Sequence, residues 1–345
     1  MIIKKIAAAV LTVAMSAALF TGCSKSYEKV VTVDGVDFAP NMYLCAQYNA
    51  YNTAWSMVGE DVEDLMAEKI EEMSAAEWIH NETIKNLQVY AWTEKTFDEM
   101  GLSLDEEELN YINELVEYYW PYNEEHYKAN GIGKETYTKF NTFSYKYDEI
   151  FTALYGEGGE KAVTDAEYKA HMDENYARIT GFYMPKLDKE GDLLPEREID
   201  VIKGYCEDAV NELNGGADLE EISAKYRQTA GDYLAYDIDY SNASDNVIDS
   251  YIGKDSTAFS GEVEEKAFSL TPDGEYVWGE MDEDLIVYKR VENFSDNSEL
   301  EEVKSSLLAE MKSEEFNTYA EAEAAKLATE EDAAAVKFYS VNKIK

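Results

Sequence analysis

Apolar residues recur along this chain in two rhythms, and each predicts a different kind of element. Lys29-Val-Val-Thr-Val-Asp-Gly-Val-Asp-Phe38 alternates and carries Asp34-Gly35, the pattern of a strand entering a tight turn. Ala39-Pro40 follows, and proline suits a first helical turn. A helix is therefore predicted that carries Met42, Leu44, Cys45, Tyr48, Tyr51, Trp55 and Met57. Over 61–101, apolar positions such as Leu65, Ile70, Ile79, Leu87 and Trp92 recur at three- and four-residue intervals, which predicts one long second helix ended by Gly101. Ser103-Leu-Asp-Glu106 reads as a capping box opening a third helix through Leu109, Ile112, Val116 and Trp120. Gly131 and Gly133 break the chain. A fourth helix is predicted over 135–155, with Phe140, Phe143, Tyr147, Ile150 and Phe151 on one side. Thr164-Asp-Ala-Glu167 is a second capping box, opening a further helix.

The rhythm shortens at Ile179. Ile179-Thr-Gly-Phe-Tyr-Met-Pro-Lys186 is a short apolar run with strand character, and a helical pattern follows it. Leu213-Asn-Gly-Gly-Ala-Asp-Leu219 stops that helix and starts another. Ala267-Phe-Ser-Leu-Thr-Pro-Asp-Gly274 and the strand Asp284-Leu-Ile-Val-Tyr-Lys289 close the segment. The stretch 298–328 is again helical, with Leu300, Leu307, Phe316 and Tyr319 inward. Residues 333–344 alternate as a final strand, expected to pair with Val30 to Val33. The mixture predicts an α+β fold.

The order strand, long helix, Gly-Ala-Asp-Leu, short helix, Ala-Phe-x-Leu-x-x-x-Gly and final strand resembles the parvulin family of peptidyl-prolyl isomerases. The flanking helices resemble the N-terminal chaperone domain of the SurA and PrsA foldases. The motifs that carry this likeness are Thr-Val-Asp-Gly-Val, Gly101-Leu-Ser-Leu-Asp-Glu-Glu-Glu108 and Val163-Thr-Asp-Ala-Glu-Tyr-Lys-Ala-His-Met-Asp-Glu-Asn175. The resemblance implies a mostly helical chaperone lobe built from both chain ends, 29–176 plus 297–345. It also implies an inserted parvulin-like α/β domain over 177–296, a small antiparallel sheet flanked by helices.

Charge narrows the partners. The chain of 345 residues carries a formal net charge of -42, which repels nucleic acid and anionic lipid headgroups. With 27 Tyr and 5 Trp, such a surface suits a basic, partly unfolded polypeptide. Lys4 and Lys5 precede an apolar run over 6–20 that is too short for a stable transmembrane span. Phe20-Thr-Gly-Cys23 then resembles the bacterial lipobox. That likeness implies a signal peptide over 1–22, a lipidated Cys23, a tether over 23–28, and a lipoprotein of the bacterial cell envelope on the extracytoplasmic face of the cell membrane. Cys45 and Cys206 fall in different helical patterns and read as buried free thiols.

The parvulin resemblance implies two inward histidines beside an apolar groove. Phe182 and Ile286 stand at their positions here, and the three histidines of the chain are His80, His126 and His171. Isomerase activity is accordingly expected to be weak or absent. The groove would be lined by Phe182, Met184, Phe259, Val263 and Phe268, with Asp232 a turn residue. No cofactor and no metal are expected: Glu77-x-x-His80 has no second copy, and the loop from Asp237 has Asn242 and Ile248 where a calcium loop needs Gly and Glu. Tyr48, Tyr51, Trp55, Trp92, Tyr119 and Trp120 are the candidate client surface, because Tyr118-Tyr-Trp-Pro-Tyr122 cannot all face inward on a helix. Three functional readings follow: a foldase or chaperone for exported polypeptides, an active isomerase using Tyr183, Tyr236 and Asp232 instead, or a dedicated binding lipoprotein on the same fold.

Overall fold

The computed structural model describes residues 27–59, 62–235, 247–254 and 259–344. Cys23, the signal segment, Tyr236 and most of the segment tested as a calcium loop lie outside the described residues. The chain divides into two compact units, Met1–Ile150 with Thr318–Lys345, and Phe151–Asn317.

The first unit opens with the hairpin β1 (Val31–Val33) and β2 (Val36–Phe38). Asp34 and Gly35 both take positive φ, 47° and 84°, as a two-residue hairpin turn demands. Helix α1 (Pro40–Val58) follows. The stretch expected as one long helix is divided. A single 3-10 turn, Leu65–Ala67, leads into a short hairpin of β3 (Lys69–Ile70) and β4 (Met73–Ser74), and only then does α2 (Ala75–Glu99) begin. Glu71 and Glu72 turn the hairpin at φ 50° and 68°, and the Ser74 hydroxyl caps α2 by accepting from the Glu77 amide at 3.3 Å. Leu65 and Ile70 are buried as the helical spacing suggested, but from the 3-10 turn and the hairpin respectively.

Helix α3 (Glu106–Ala129) is capped by Asp105, two residues after the expected cap Ser103. Asp105 accepts from the Glu108 amide at 2.9 Å while Glu108 accepts from the Asp105 amide at 2.6 Å. Three consecutive glutamates in its first turn suit the helix dipole. Helix α4 (Lys134–Tyr155) follows, and α5 (Asp165–Asn175) keeps the expected Thr164–Glu167 box.

The second unit is built on β5 (Tyr176–Pro185). Helices α6 (Glu196–Asn214) and α7 (Leu219–Leu234), strand β6 (Ile248–Gly253), helix α8 (Gly261–Ser269) and strands β7 (Val277–Glu280) and β8 (Asp284–Val291) complete it. The sheet is antiparallel in the order β6-β5-β8-β7. Period-two alternation sends Phe182, Met184, Leu285 and Val287 toward α6 and α7, and Ile179, Ile286 and Tyr288 toward α8. Gly181 lets the central strands meet, since a Cβ there would lie 2.0 Å from the Val287 carbonyl oxygen.

Helix α9 (Asn297–Ala324) leads back to the first unit, where β9 (Thr329–Glu331) pairs antiparallel with β1. The final strand expected over 333–344 is instead a short helix, α10 (Ala333–Phe338), and a 3-10 turn. Asp332 accepts from the Ala334 and Ala335 amides, and the alanine run prefers helix once capped.

The division between these two compact units falls inside α4 and α9. The C-terminal end of α4, all of α5 and most of α9 pack together: Phe151 meets Phe316 at 5.3 Å, and Lys304 pairs with Asp165 at 2.8 Å. The fold is α+β, mostly helical with small antiparallel sheets.

Candidate functional site

At the sheet of the second unit, Arg178 pairs with Asp249 at 2.7 Å, and Lys186, just past β5, pairs with Glu280 at 3.0 Å. Phe182 and Ile286 are fully buried, and they lie on opposite faces of the sheet. The register explains this: Phe182 pairs with Val287, and Tyr183 pairs with Ile286. Side chains must share a face to meet across two strands, so residues 182 and 286 do not form a facing pair.

The expected groove divides in the same way. Phe182 and Met184 fill the core under α6 and α7, while Val263, Phe259 and Phe268 pack on the α8 side. The alternative polar set does not assemble among the described residues either. Tyr183 lies on the α8 side, its hydroxyl pushed above the usual range by desolvation. Asp232 sits exposed within α7, not in a turn, and accepts from Gln228 at 2.8 Å.

The first unit behaves differently. Trp92 and Trp120 are core residues, and Tyr48, Tyr51 and Trp55 are half-buried, so of the six expected surface aromatics only Tyr119 is exposed. It has company on α3: Tyr111 is 53% exposed, Tyr118 62%, Tyr119 49% and Tyr122 71%. Tyr118 touches Tyr119 with ring centres 4.9 Å apart and Tyr122 at 5.7 Å. The aromatic excess over 118–122 marks this cluster in the sequence, and of its exposed rings Tyr119 is among the six expected at the surface.

A cleft of about 580 Å³ opens among α1, α2, α3 and α4. Its floor includes the buried Cys45, whose thiol is pushed up to about 12 by burial and is inert. Aromatic walls come from Tyr127, Tyr137, Phe140, Phe143 and Tyr147. Tyr127 and Tyr137 lie 5.1 Å apart, and Phe143 and Tyr147 lie 6.0 Å apart. Desolvation lifts the hydroxyls of Tyr127 and Tyr147 to about 12, so both remain neutral donors. Polar groups interrupt the rings: Asn49 and Thr53 from α1, Glu82 and Asn86 from α2, and Asn141, Ser144 and Asp148 from α4. Desolvation raises the Asp148 carboxyl.

None of Asn49, Asn86 and Asp148 stood out in the sequence. The available signal was the α4 pattern, in which Asn141, Ser144 and Asp148 each follow an aromatic ring directly, so that polar and aromatic groups share one helix flank. His80 lies 3.2 Å from Glu331, and no group of three potential metal ligands forms among the described residues. No described helix is long and apolar enough to cross a membrane.

No family model and no curated protein matches the chain. Among solved structures it is similar to the foldase protein PrsA from Streptococcus pneumoniae, at 16% identity, with 82% of this chain and 99% of that chain covered and a TM-score of 0.36. The foldase protein PrsA from Lactococcus lactis is similar at 11% identity, with 92% and 100% covered and a TM-score of 0.37. PrsA from Bacillus subtilis is similar at 16% identity, with 83% and 92% covered and a TM-score of 0.26. At such identities and scores no function passes from those proteins to this chain.

Proposed function

We propose that this protein holds exported polypeptides while they fold, as a foldase-type chaperone anchored through a lipid on Cys23 at the extracytoplasmic face of the cell membrane. The observation that carries the reading is the aromatic surface of the first unit. Four tyrosines of α3 are exposed in a protein of net charge -42, and a cleft walled by further rings lies in the same unit. Tyrosine offers large contact area with two side-chain torsions to fix, and its hydroxyl tolerates water, which suits clients of varied sequence. Prolyl isomerisation is weak or absent in this reading, because the positions that resemble the parvulin histidines carry Phe182 and Ile286, and residues 177–296 contain no histidine.

The test uses the full chain reconstituted in lipid nanodiscs. Prolyl isomerisation of a tetrapeptide and suppression of aggregation of an unfolded client are followed in one preparation. The reading expects clear suppression with isomerisation at the buffer rate. A family-like isomerisation rate would overturn the histidine reasoning, and absence of both activities would favour a protein dedicated to one ligand. Labelling with a fatty-acid analogue that survives Cys23→Ser would overturn the anchor assignment.

A further inference from the structure

We infer that the cleft among α1, α2, α3 and α4 is a subsite for a cationic side chain, arginine or lysine, of a bound polypeptide, with Asp148 as counter-charge. The inference rests on the polypeptide-holding reading and deepens it.

The first observation is an unneutralised carboxylate. Asp148 lines the cleft at its rim and has no ion-pair partner among the described residues. Cations nearby are committed elsewhere. Helix α1 carries no Lys or Arg. On α2, Lys85 pairs with Glu321 at 2.8 Å and with the cleft-lining Glu82 at 3.6 Å, and Lys95 pairs with Asp34 at 2.8 Å. On α3, Lys128 pairs with Glu124 at 2.5 Å. On α4, Lys134 pairs with Glu117, Lys139 with Glu135 and Lys146 with Glu94. The helices that frame the cleft thus supply it with negative charge and no free cation.

The second observation is the wall. Tyr127, Tyr137, Phe143 and Tyr147 present ring surface around the same space. A guanidinium or ammonium held against aromatic faces and beside a carboxylate gains both the ring quadrupole and the Coulomb attraction, in surroundings drier than bulk water. An anion or a neutral apolar side chain gains only part of this or is repelled.

The third observation is unmade hydrogen bonds. The side-chain amides of Asn49 and Asn86 line the cleft and make no hydrogen bond among the described residues. Each offers a donor and an acceptor, the pair of groups that a peptide backbone flanking the cationic residue presents in reverse. A volume of about 580 Å³ holds one long side chain with its adjoining backbone.

The experiment is fluorescence anisotropy with the full chain in nanodiscs, using three extended peptides that differ at one central residue: arginine, citrulline or glutamate. Citrulline keeps the shape of arginine without its charge. At about 0.15 M salt, where long-range attraction is screened, the arginine peptide is expected to bind about tenfold tighter than the citrulline peptide. Asp148→Asn, which keeps the side chain's shape, should reduce that difference below about threefold. Phe143→Leu should weaken the arginine preference and leave the fold intact. Glu301→Gln, which removes a carboxylate from α9, should leave the preference untouched. Equal binding of arginine and citrulline peptides, or an unchanged preference in Asp148→Asn, overturns the subsite while leaving polypeptide holding in place. If spermidine competes as tightly as the arginine peptide binds, the site serves a small amine and the polypeptide assignment falls. If none of the peptides binds and no client is held, the underlying functional reading falls with it.

Discussion

The central strands of the second unit and helix α3 of the first treat their aromatic residues in opposite ways. In the second, Phe182 and Tyr288 are fully buried, and the Tyr288 hydroxyl donates to the Val263 carbonyl at 3.3 Å. In the first, helix α3 buries only Ile112, Val116 and Trp120, and leaves four tyrosines in solvent. Geometry accounts for the difference. A strand has two faces, and here both are covered, by α6 and α7 on one side and α8 on the other, so each alternate residue finds a core. A helix with one covered stripe can bury residues only at spacings of three and four, and further rings must face out. The sealed unit is where the parvulin resemblance placed chemistry. The open unit is where ligand-sized space and unpaired polar groups are found.

The largest effect expected from this contrast is at Phe182. Phe182→Ala removes a fully buried ring from the α6–α7 core and should cost about 3–5 kcal/mol in urea unfolding. A loss under about 1 kcal/mol would mean that the sheet face is looser than its burial indicates. Phe182→His is the more pointed variant. It places an imidazole among apolar neighbours and across the sheet from Ile286, so it should cost about 1–3 kcal/mol and leave isomerisation at the buffer rate. Full isomerase activity in that single variant would refute the account of the sealed unit.

The apolar runs from Ile179 and Asp284 mark β5 and β8 plainly, because a strand covered on both faces is apolar throughout. Their register is hidden, since a slip of one residue leaves the run equally apolar yet moves Phe182 and Ile286 to opposite faces. The β3–β4 hairpin is hidden for another reason: Glu71-Glu72 lacks the Gly or Asn that marks a turn, yet both take the left-handed region. The terminal pairing to β1 was legible in kind and displaced in place, because the alternation over 333–344 competes with a capped alanine run. The aromatic excess of α3 was visible, but which rings turn outward depends on the stripe its neighbours cover. The cleft was invisible, because Asn49, Asn86 and Asp148 come together only when three helices are placed.

Helix caps give smaller effects that test both units alike. Asp105→Ala and Thr164→Ala each remove a reciprocal capping box and should each cost about 1 kcal/mol. A negligible loss at Asp105 alone would indicate that α3, with its short buried stripe, frays at its start, and amide exchange over 106–109 would show it directly.

The thiols compare the units without altering stability. Cys45 lines the cleft and Cys206 lies in the α6–α7 core, and burial pushes both thiols up to about 12. A raised thiol pKa keeps the unreactive protonated form at any pH well below that value. Iodoacetamide at pH 8 should therefore label neither cysteine in the native protein and both in urea. Native labelling of Cys45 alone would show that the cleft opens to its floor.

The smallest effect on stability is expected where the effect on function is greatest. Tyr118, Tyr119 and Tyr122 contact mainly one another, and each is at least half exposed or nearly so. Replacing each with serine should change unfolding free energy by no more than about 0.5 kcal/mol. The triple variant should nevertheless lose most of its suppression of client aggregation, because the contact area offered by three rings is gone. Separating the two readouts is the point of the variant. If suppression survives while stability is unchanged, client contact lies in the cleft alone, and Asp148→Asn becomes the variant that should abolish the preference for basic clients.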